Sequence, residues 1–325
     1  MFIAIIGTRS SGRSTLESYL VELKGFTPVR LEPESPASDT PASDTDLYRC
    51  NPLSFSTPTE LLDHVTRNWR TDFVTVDLVS KDVLESFAKR PFFVVINVDA
   101  PLHIRFERAA RSLDKALSLE DFVRDHDEQY YGTAPSASQP TWSLIDLHGL
   151  VHLHVVNSFE TISAFYTYLD GLDLLDGERL RPGWDAYFMQ LASLASRRSN
   201  CMKRRVGAIL VRNERILATG YNGTPRGLAN CNEGGCDRCN CANETSHECI
   251  CLHAEENALL EAGRERIGDG AVLYCNTCPC LKCTVKIIQT GIKEVVYNLS
   301  YKVDDASTAL FEQAGVLLRR HAMPD

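Results

Sequence analysis

The stretch LHAEENALLEAGRERIGDGAVLYCNTCPCLKC, Leu252–Cys283, decides the fold. AEENALLEAG is a run of helix formers closed by a glycine, AVLYCN is an apolar run of strand length, and CLKCTVKIIQTG resumes a helical pattern that again ends on glycine. His253, Ala254 and Glu255 open the first helix, and Pro279, Cys280 and Cys283 open the second. Cys280 and Cys283 are three apart, hence on one helix face, and proline is tolerated in a first turn where its missing N–H has no partner to lose. A helix N-terminus favours thiolates. Two thiolates and a neutral imidazole are three ligands of a tetrahedral zinc, with the fourth position left to water. A closed zinc ribbon would need a fourth protein ligand and has no use for Glu255, which reads as a proton shuttle.

Outward from this core, VGAILV and ILATGY read as a strand pair joined at RNER, GYNGTPRG as a loop and EVVYNL as a further strand. Trp184, Phe188, Leu191 and Ala195 recur at helical spacing, which adds an amphipathic helix and makes the C-terminal half an α/β/α unit. The N-terminal half differs. FIAIIG, FVTVDLV and FFVVINV are apolar throughout, as strands of a parallel sheet covered on both faces must be. DGLDLLDGERLRPG separates the two textures, so the expected domains are 1–175 and 176–325. Residues 31–58, rich in Pro, Ser, Asp and Thr and containing PASDTPASDT, are expected to be a disordered loop.

Composition narrows the function classes. With 44% hydrophobic and 24% charged residues the chain has the make-up of a folded soluble protein, and no apolar stretch reaches the ~20 residues of a membrane span. MFIAIIGTRSSG carries no basic leader and reads as a first strand, so the expected location is cytoplasmic, with the nucleus accessible. A net charge of -9 disfavours a broad nucleic-acid footprint but not a small nucleotide. Arg197, Arg198, Lys203, Arg204 and Arg205 read as a solvated face.

Gly7, Gly12, Arg13 and Ser14, between a strand and a helical run, have the setting of the phosphate-cradling loop GxxxxGK[ST], with arginine in place of lysine. A planar guanidinium is not a like-for-like substitute. The half resembles P-loop nucleotide and dephospho-coenzyme A kinases, which implies a degenerate P-loop kinase-like domain. Asp77 would be its Walker-B acid, and Arg105, Arg108 and Arg111 lie on a lid helix or a solvated face.

The pairing of HxE with PCxxC matches the signature of the zinc deaminases. Residues 180 to 320 further resemble the deoxycytidylate deaminases of the cytidine deaminase superfamily in CMKRRVGAILV, GYNGTPRG, LHAEENALLEAGR, CPCLKC and VVYNLSYKVDD. The resemblance implies a three-layer α/β/α domain that deaminates dCMP to dUMP and ammonia with a zinc-activated water and Glu255 as the shuttle, upstream of thymidylate synthesis. It implies that Asn222, Asn257, Arg264 and Tyr301 contact substrate, Arg264 through the 5′-phosphate. It also implies activation by dCTP and inhibition by dTTP at Tyr221, Asn222 and Gly223, magnesium with the effector nucleotide, and a homohexamer. The alternatives are another superfamily deaminase, acting on CMP, cytidine or tRNA adenosine, and a nucleotide kinase with a structural zinc module. Glu255 discriminates against the second.

All but Cys50 of the 12 cysteines lie between Cys201 and Cys283. Without a secretion signal, metal ligation outranks disulfides. CDRCNC and HECIC have the short spacings of a metal knuckle. Some members of the resembled family carry a second, structural zinc, whose ligands map to Cys201, Cys231, a residue of this insert, taken as Cys239, and Cys251. The Cys-rich insert and Cys278 depart from the family pattern.

Overall fold

In the computed structural model, residues 1–32, 51–112, 117–132, 143–241, 248–300 and 305–322 are described, and the chain divides into two units, Met1–Arg181 and Pro182–Asp325. The first contains β1 (Phe2–Gly7), α1 (Arg13–Lys24), β2 (Thr27–Leu31), β3 (Leu53–Phe55), α2 (Pro58–Arg67) and β4 (Phe73–Thr75). It continues through α3 (Lys81–Ala88), β5 (Phe93–Asp99), α4 (Leu102–Ser112), α5 (Leu119–Tyr131), β6 (Leu153–Val156) and α6 (Ile162–Gly171). The strands form one parallel sheet in the order β3-β2-β4-β1-β5-β6. Ile3 and Ile5 enter a core with Leu16 and Leu20 of α1 and Phe165 of α6, whereas Phe2, Ala4 and Ile6 enter another with Leu61 of α2 and Phe87 of α3. Helices thus cover both faces, which is why β1 is apolar at every position.

Two expectations are corrected here. FVTVDLV supplies only three strand residues, because Asp77 turns back: its N–H reaches Thr75 Oγ1 (3.2 Å), and its carboxylate accepts the Leu31 N–H (3.0 Å). The loop expected over 31–58 ends earlier, since Leu53–Phe55 pairs with Val29–Leu31 and Phe55 packs on His64 at a ring separation of 5.0 Å. Thr57 then caps α2 by accepting the Glu60 N–H. PASDTPASDT itself lies outside the described residues.

The second unit runs α7 (Trp184–Ser196), β7 (Gly207–Arg212), β8 (Arg215–Tyr221), α8 (Asp237–Asn240), α9 (Ala254–Ala262) and α10 (Arg264–Ile267). It ends with β9 (Ala271–Thr277), α11 (Leu281–Thr290), β10 (Glu294–Leu299), α12 (Asp305–Gln313) and β11 (Leu317–Arg320). The sheet order is β11-β10-β9-β7-β8, with β7 antiparallel to both its neighbours and the other pairs parallel. Phe188, Met189 and Ala192 of α7 pack on one face against Ile209, Val211 and Tyr274, while α9, α11 and Phe311 of α12 pack on the other. This is the expected three-layer α/β/α arrangement.

One glycine sets the seat of α9. A Cβ on Gly220 would lie 2.0 Å from the Ala254 carbonyl oxygen and 2.6 Å from the Ala258 nitrogen, so the helix rests directly on β8. Two residues on, Asn222 Oδ1 accepts the Ala254 N–H (2.8 Å) and ties the start of α9 to the end of the strand. Among the described residues no helix is long and apolar enough to cross a membrane.

Candidate active site

His253 precedes the first turn of α9 in extended conformation, and its N–H is taken by the Glu256 carboxylate (2.7 Å), which also meets Lys286 of α11. Cys280 caps α11 and Cys283 lies in its first turn. His253 Nδ1 is 3.4 Å from Cys280 Sγ and 3.3 Å from Cys283 Sγ. Tetrahedral zinc with Zn–N of about 2.0 Å and Zn–S of about 2.3 Å demands N···S edges of about 3.5 Å, so these donors fit that ion in number, kind and spacing. The Cys283 thiol and His253 together draw Cys280 down to about 3, against the opposing effect of burial, and the Cys280 thiolate in turn raises His253. Glu255 is only 4% exposed, and burial pushes its carboxyl above the usual range, as a group that must both take and return a proton requires.

A cavity of about 320 Å³ opens onto His253, Glu255 and Cys280, with Asn222, Lys203 and Arg204 on its lining. The two cations had read as part of a solvated face. They are exposed, yet the chain between Cys201 and β7 brings them to this cavity. Of the four expected substrate contacts, Asn222 lies on it. Asn257 donates to the Tyr221 carbonyl (2.6 Å) and faces a second cavity of about 730 Å³ with Tyr221, Gly223 and Arg226. Successive residues of an extended chain point to opposite sides, which separates Asn222 from its two neighbours. Arg264 is exposed on α10, beyond the far end of the nine-residue α9, a helix about 13 Å long that starts just after His253. Tyr301 lies outside the described residues.

The second cysteine group is legible as a metal knuckle, and the four residues that the resemblance implies for it are brought together. Cys201, Cys231, Cys239 and Cys251 bring their sulfurs within 4.8 Å of one another, and so do Cys236, Cys239, Cys249 and Cys251. Cys236 and Cys249, which belong to the CDRCNC and HECIC spacings but not to the four ligands that the resemblance implies, join a second group through Cys239 and Cys251.

In the first unit, the loop after β1 reaches Gly12 at φ 106, a left-handed conformation, and Asn157 Nδ2 donates to the Ser11 carbonyl (2.9 Å) behind it. Gly7 ends β1, Arg13 begins α1 and Ser14 is exposed. Burial lowers the Arg13 pKa, with Asp77 and Glu17 opposing. Arg9, Arg13 and Arg105 share a cavity of about 340 Å³. Arg108, by contrast, is committed to main-chain carbonyls, including that of Phe159 (2.8 Å).

A His–Cys–Cys donor set with a buried glutamate two residues past the histidine, on an α/β/α frame, defines a zinc-dependent nucleobase deaminase. The family profile described as the cytidine and deoxycytidylate deaminase zinc-binding region matches residues 182–299. The deoxycytidylate deaminase of Schizosaccharomyces pombe is 42% identical over 327 residues, spanning 99% of this chain and 98% of that protein. The Saccharomyces cerevisiae enzyme of the same name is 43% identical over 279 residues, 82% of this chain and 87% of its own length. A crystal structure of dCMP deaminase from the cyanophage S-TIM5 in complex with dCMP and dUMP is 38% identical over 42% of this chain and 94% of that one, with a TM-score of 0.35. The chain belongs to the deoxycytidylate deaminases, enzymes that hydrolyse a C–N bond.

Proposed function

We infer that this chain converts dCMP to dUMP and ammonia by hydrolysis at C4 of the cytosine ring. The observation that carries the reading is Glu255, a buried carboxyl that shares one cavity with the His253 and Cys280 donors and with two cations. His253, Cys280 and Cys283 would hold a zinc ion, which when bound supplies a Lewis acid able to bring the pKa of a water to about 7. Glu255 holds the proton given up by the attacking water and delivers it to N3 of the ring; it then takes the proton of the C4 hydroxyl in the tetrahedral intermediate and passes it to the departing amine, which leaves as ammonia as the C4 carbonyl forms. Asn222, anchored through Ala254, is a rigid contact for sugar or base.

The resemblance carries the phosphate to Arg264, but Lys203 and Arg204 are the cations on the metal-facing cavity, and we assign the 5′-phosphate to them. Cys201, Cys231, Cys239 and Cys251 hold a second, structural zinc. The cavity beside β8, with Tyr221, Gly223 and Arg226 against Glu261, suits a nucleoside triphosphate with magnesium, dCTP as activator and dTTP as inhibitor, in a homohexamer. The first unit is a degenerate P-loop domain that keeps an anion cavity lined by Arg9, Arg13 and Arg105, without the kinase lysine.

The test is ammonia release from dCMP, CMP, deoxycytidine and cytidine, with and without a chelator, dCTP and dTTP. Turnover confined to dCMP, abolished by the chelator and restored by zinc, is expected. Equal use of deoxycytidine would remove the phosphate assignment. Indifference to both triphosphates at subsaturating dCMP would remove the effector site.

A further inference from the structure

The two cysteine quartets are not alternatives of which one must be chosen. They overlap in two members, Cys239 and Cys251, and together contain six thiols. Two tetrahedral ions need eight donor positions; four thiolates used once and two used twice supply that number. Contacts in both quartets have the right length. A Zn–S bond of about 2.3 Å sets tetrahedral S···S edges of about 3.8 Å. Cys201–Cys239 and Cys239–Cys251 are 3.9 Å apart, Cys236–Cys249 is 3.8 Å and Cys239–Cys249 is 3.4 Å. The last is well beyond the ~2.05 Å of a disulfide.

We propose that the insert between β8 and α9 builds a binuclear zinc–thiolate cluster, with Cys239 and Cys251 bridging the ions, Cys201 and Cys231 completing one tetrahedron, and Cys236 and Cys249 completing the other. This rests on the structural-zinc reading above and extends it.

Three observations support the second ion. Among the described residues the buried core of this segment consists of Cys231, Cys236, Cys239 and Cys251, with Cys201 packed against it and no aliphatic side chain, so hydrophobic burial alone does not hold it together. Asn240 of α8 donates to the Cys231 and Cys236 carbonyls (2.8 Å each), and so fixes a terminal ligand of one tetrahedron against a terminal ligand of the other. Charge balance permits both ions: one dication with four thiolates carries a charge of about -2, and two dications with six carry the same, since the added ion and the two added thiolates cancel. Cys201, Cys239, Cys249 and Cys251 line the cavity that holds His253 and Glu255, so the cluster forms a wall of the active site and positions Lys203, two residues beyond Cys201.

Native mass spectrometry of the full-length chain, produced with zinc, reads the number of ions directly. Three per chain is expected: one at His253, Cys280 and Cys283 and two in the cluster. Two per chain would overturn the binuclear cluster and leave the single structural zinc standing; one would overturn both. A mass loss from disulfide formation among the six would also overturn it. C236S/C249S is expected to lower the count from three to two. In the cadmium-113 form of the parent protein, bridging predicts two cluster resonances split by coupling through the shared sulfurs. Three ions without that coupling would overturn the bridge, whether or not the variant folds.

Discussion

Two sets of side chains able to hold a metal ion face one cavity, and they are built to opposite ends. His253, Cys280 and Cys283 provide three donors and stand beside a buried carboxyl. The six cysteines of the two overlapping quartets provide enough sulfur to close every tetrahedral position, and among the described residues no carboxylate joins either group. A centre with one donor too few does chemistry there; a centre with all its donors holds chain together. The secondary structure follows the same division. The trio sits at the N-termini of α9 and α11, rigid elements packed on the sheet, whereas the six thiols sit on loops and the four-residue α8, where there is little else to hold them.

The comparison breaks most sharply at Glu255. Glu255→Gln is expected to keep its metal count while kcat for dCMP falls by about 10³-fold or more, read by ammonia release alongside native mass spectrometry. Near-normal turnover would make the trio another structural site. Cys251→Ala strikes the closed centre: cluster metal is lost and the melting temperature, read by calorimetry, drops by about 10 °C, with activity falling only as the cavity wall loosens. Lys203→Ala tests the rim between the centres. KM for dCMP should rise about tenfold with kcat little changed, while any residual deoxycytidine turnover is unaffected.

A control lies on the other face of the sheet, where Asp185 of α7 takes hydrogen bonds from Arg319 (2.5 Å) and Tyr274 (2.9 Å). Arg319, more than Tyr274, holds the Asp185 carboxyl below its ordinary range, against partial burial. Its native pKa is lowered, so its contribution is present above the unfolded carboxyl range, about pH 4, and is lost as pH falls through the native value. Asp185→Asn should therefore lower the melting temperature by a few degrees at pH 7 and progressively less as pH falls below about 4, with the metal content unchanged; partial exposure of the pair keeps the effect small. The smallest change expected is at Arg264, where Arg264→Ala should leave KM for dCMP within about twofold. A large rise would return the phosphate to α10.

Much of this was readable along the chain. The HxE and PCxxC residues come together as their spacing implies, because each pair lies within one helical turn and the intervening strand is a rigid spacer. The layering of both sheets followed from apolar patterning. FVTVDLV was overread, since a local Thr75–Asp77 hydrogen bond competes with strand propensity, and Leu53–Phe55 was missed because a three-residue edge strand exists only where β2 offers it partners.

What the amino-acid order determined by itself is therefore local: the helix–strand–helix, the donor trio, the shuttle carboxyl and the change of texture between the two halves. Only the tertiary structure decided that Cys236 and Cys249 join Cys239 and Cys251, that Lys203 and Arg204 reach the cavity, and that Asn222 and Asn257 face different ones. Those residues are brought together by loops 30 or more positions apart, from Cys201 to Cys231 and from Asn222 to Ala254. Where such loops meet depends on long-range packing, above all on the bare backbone of Gly220 that lets α9 lie against β8.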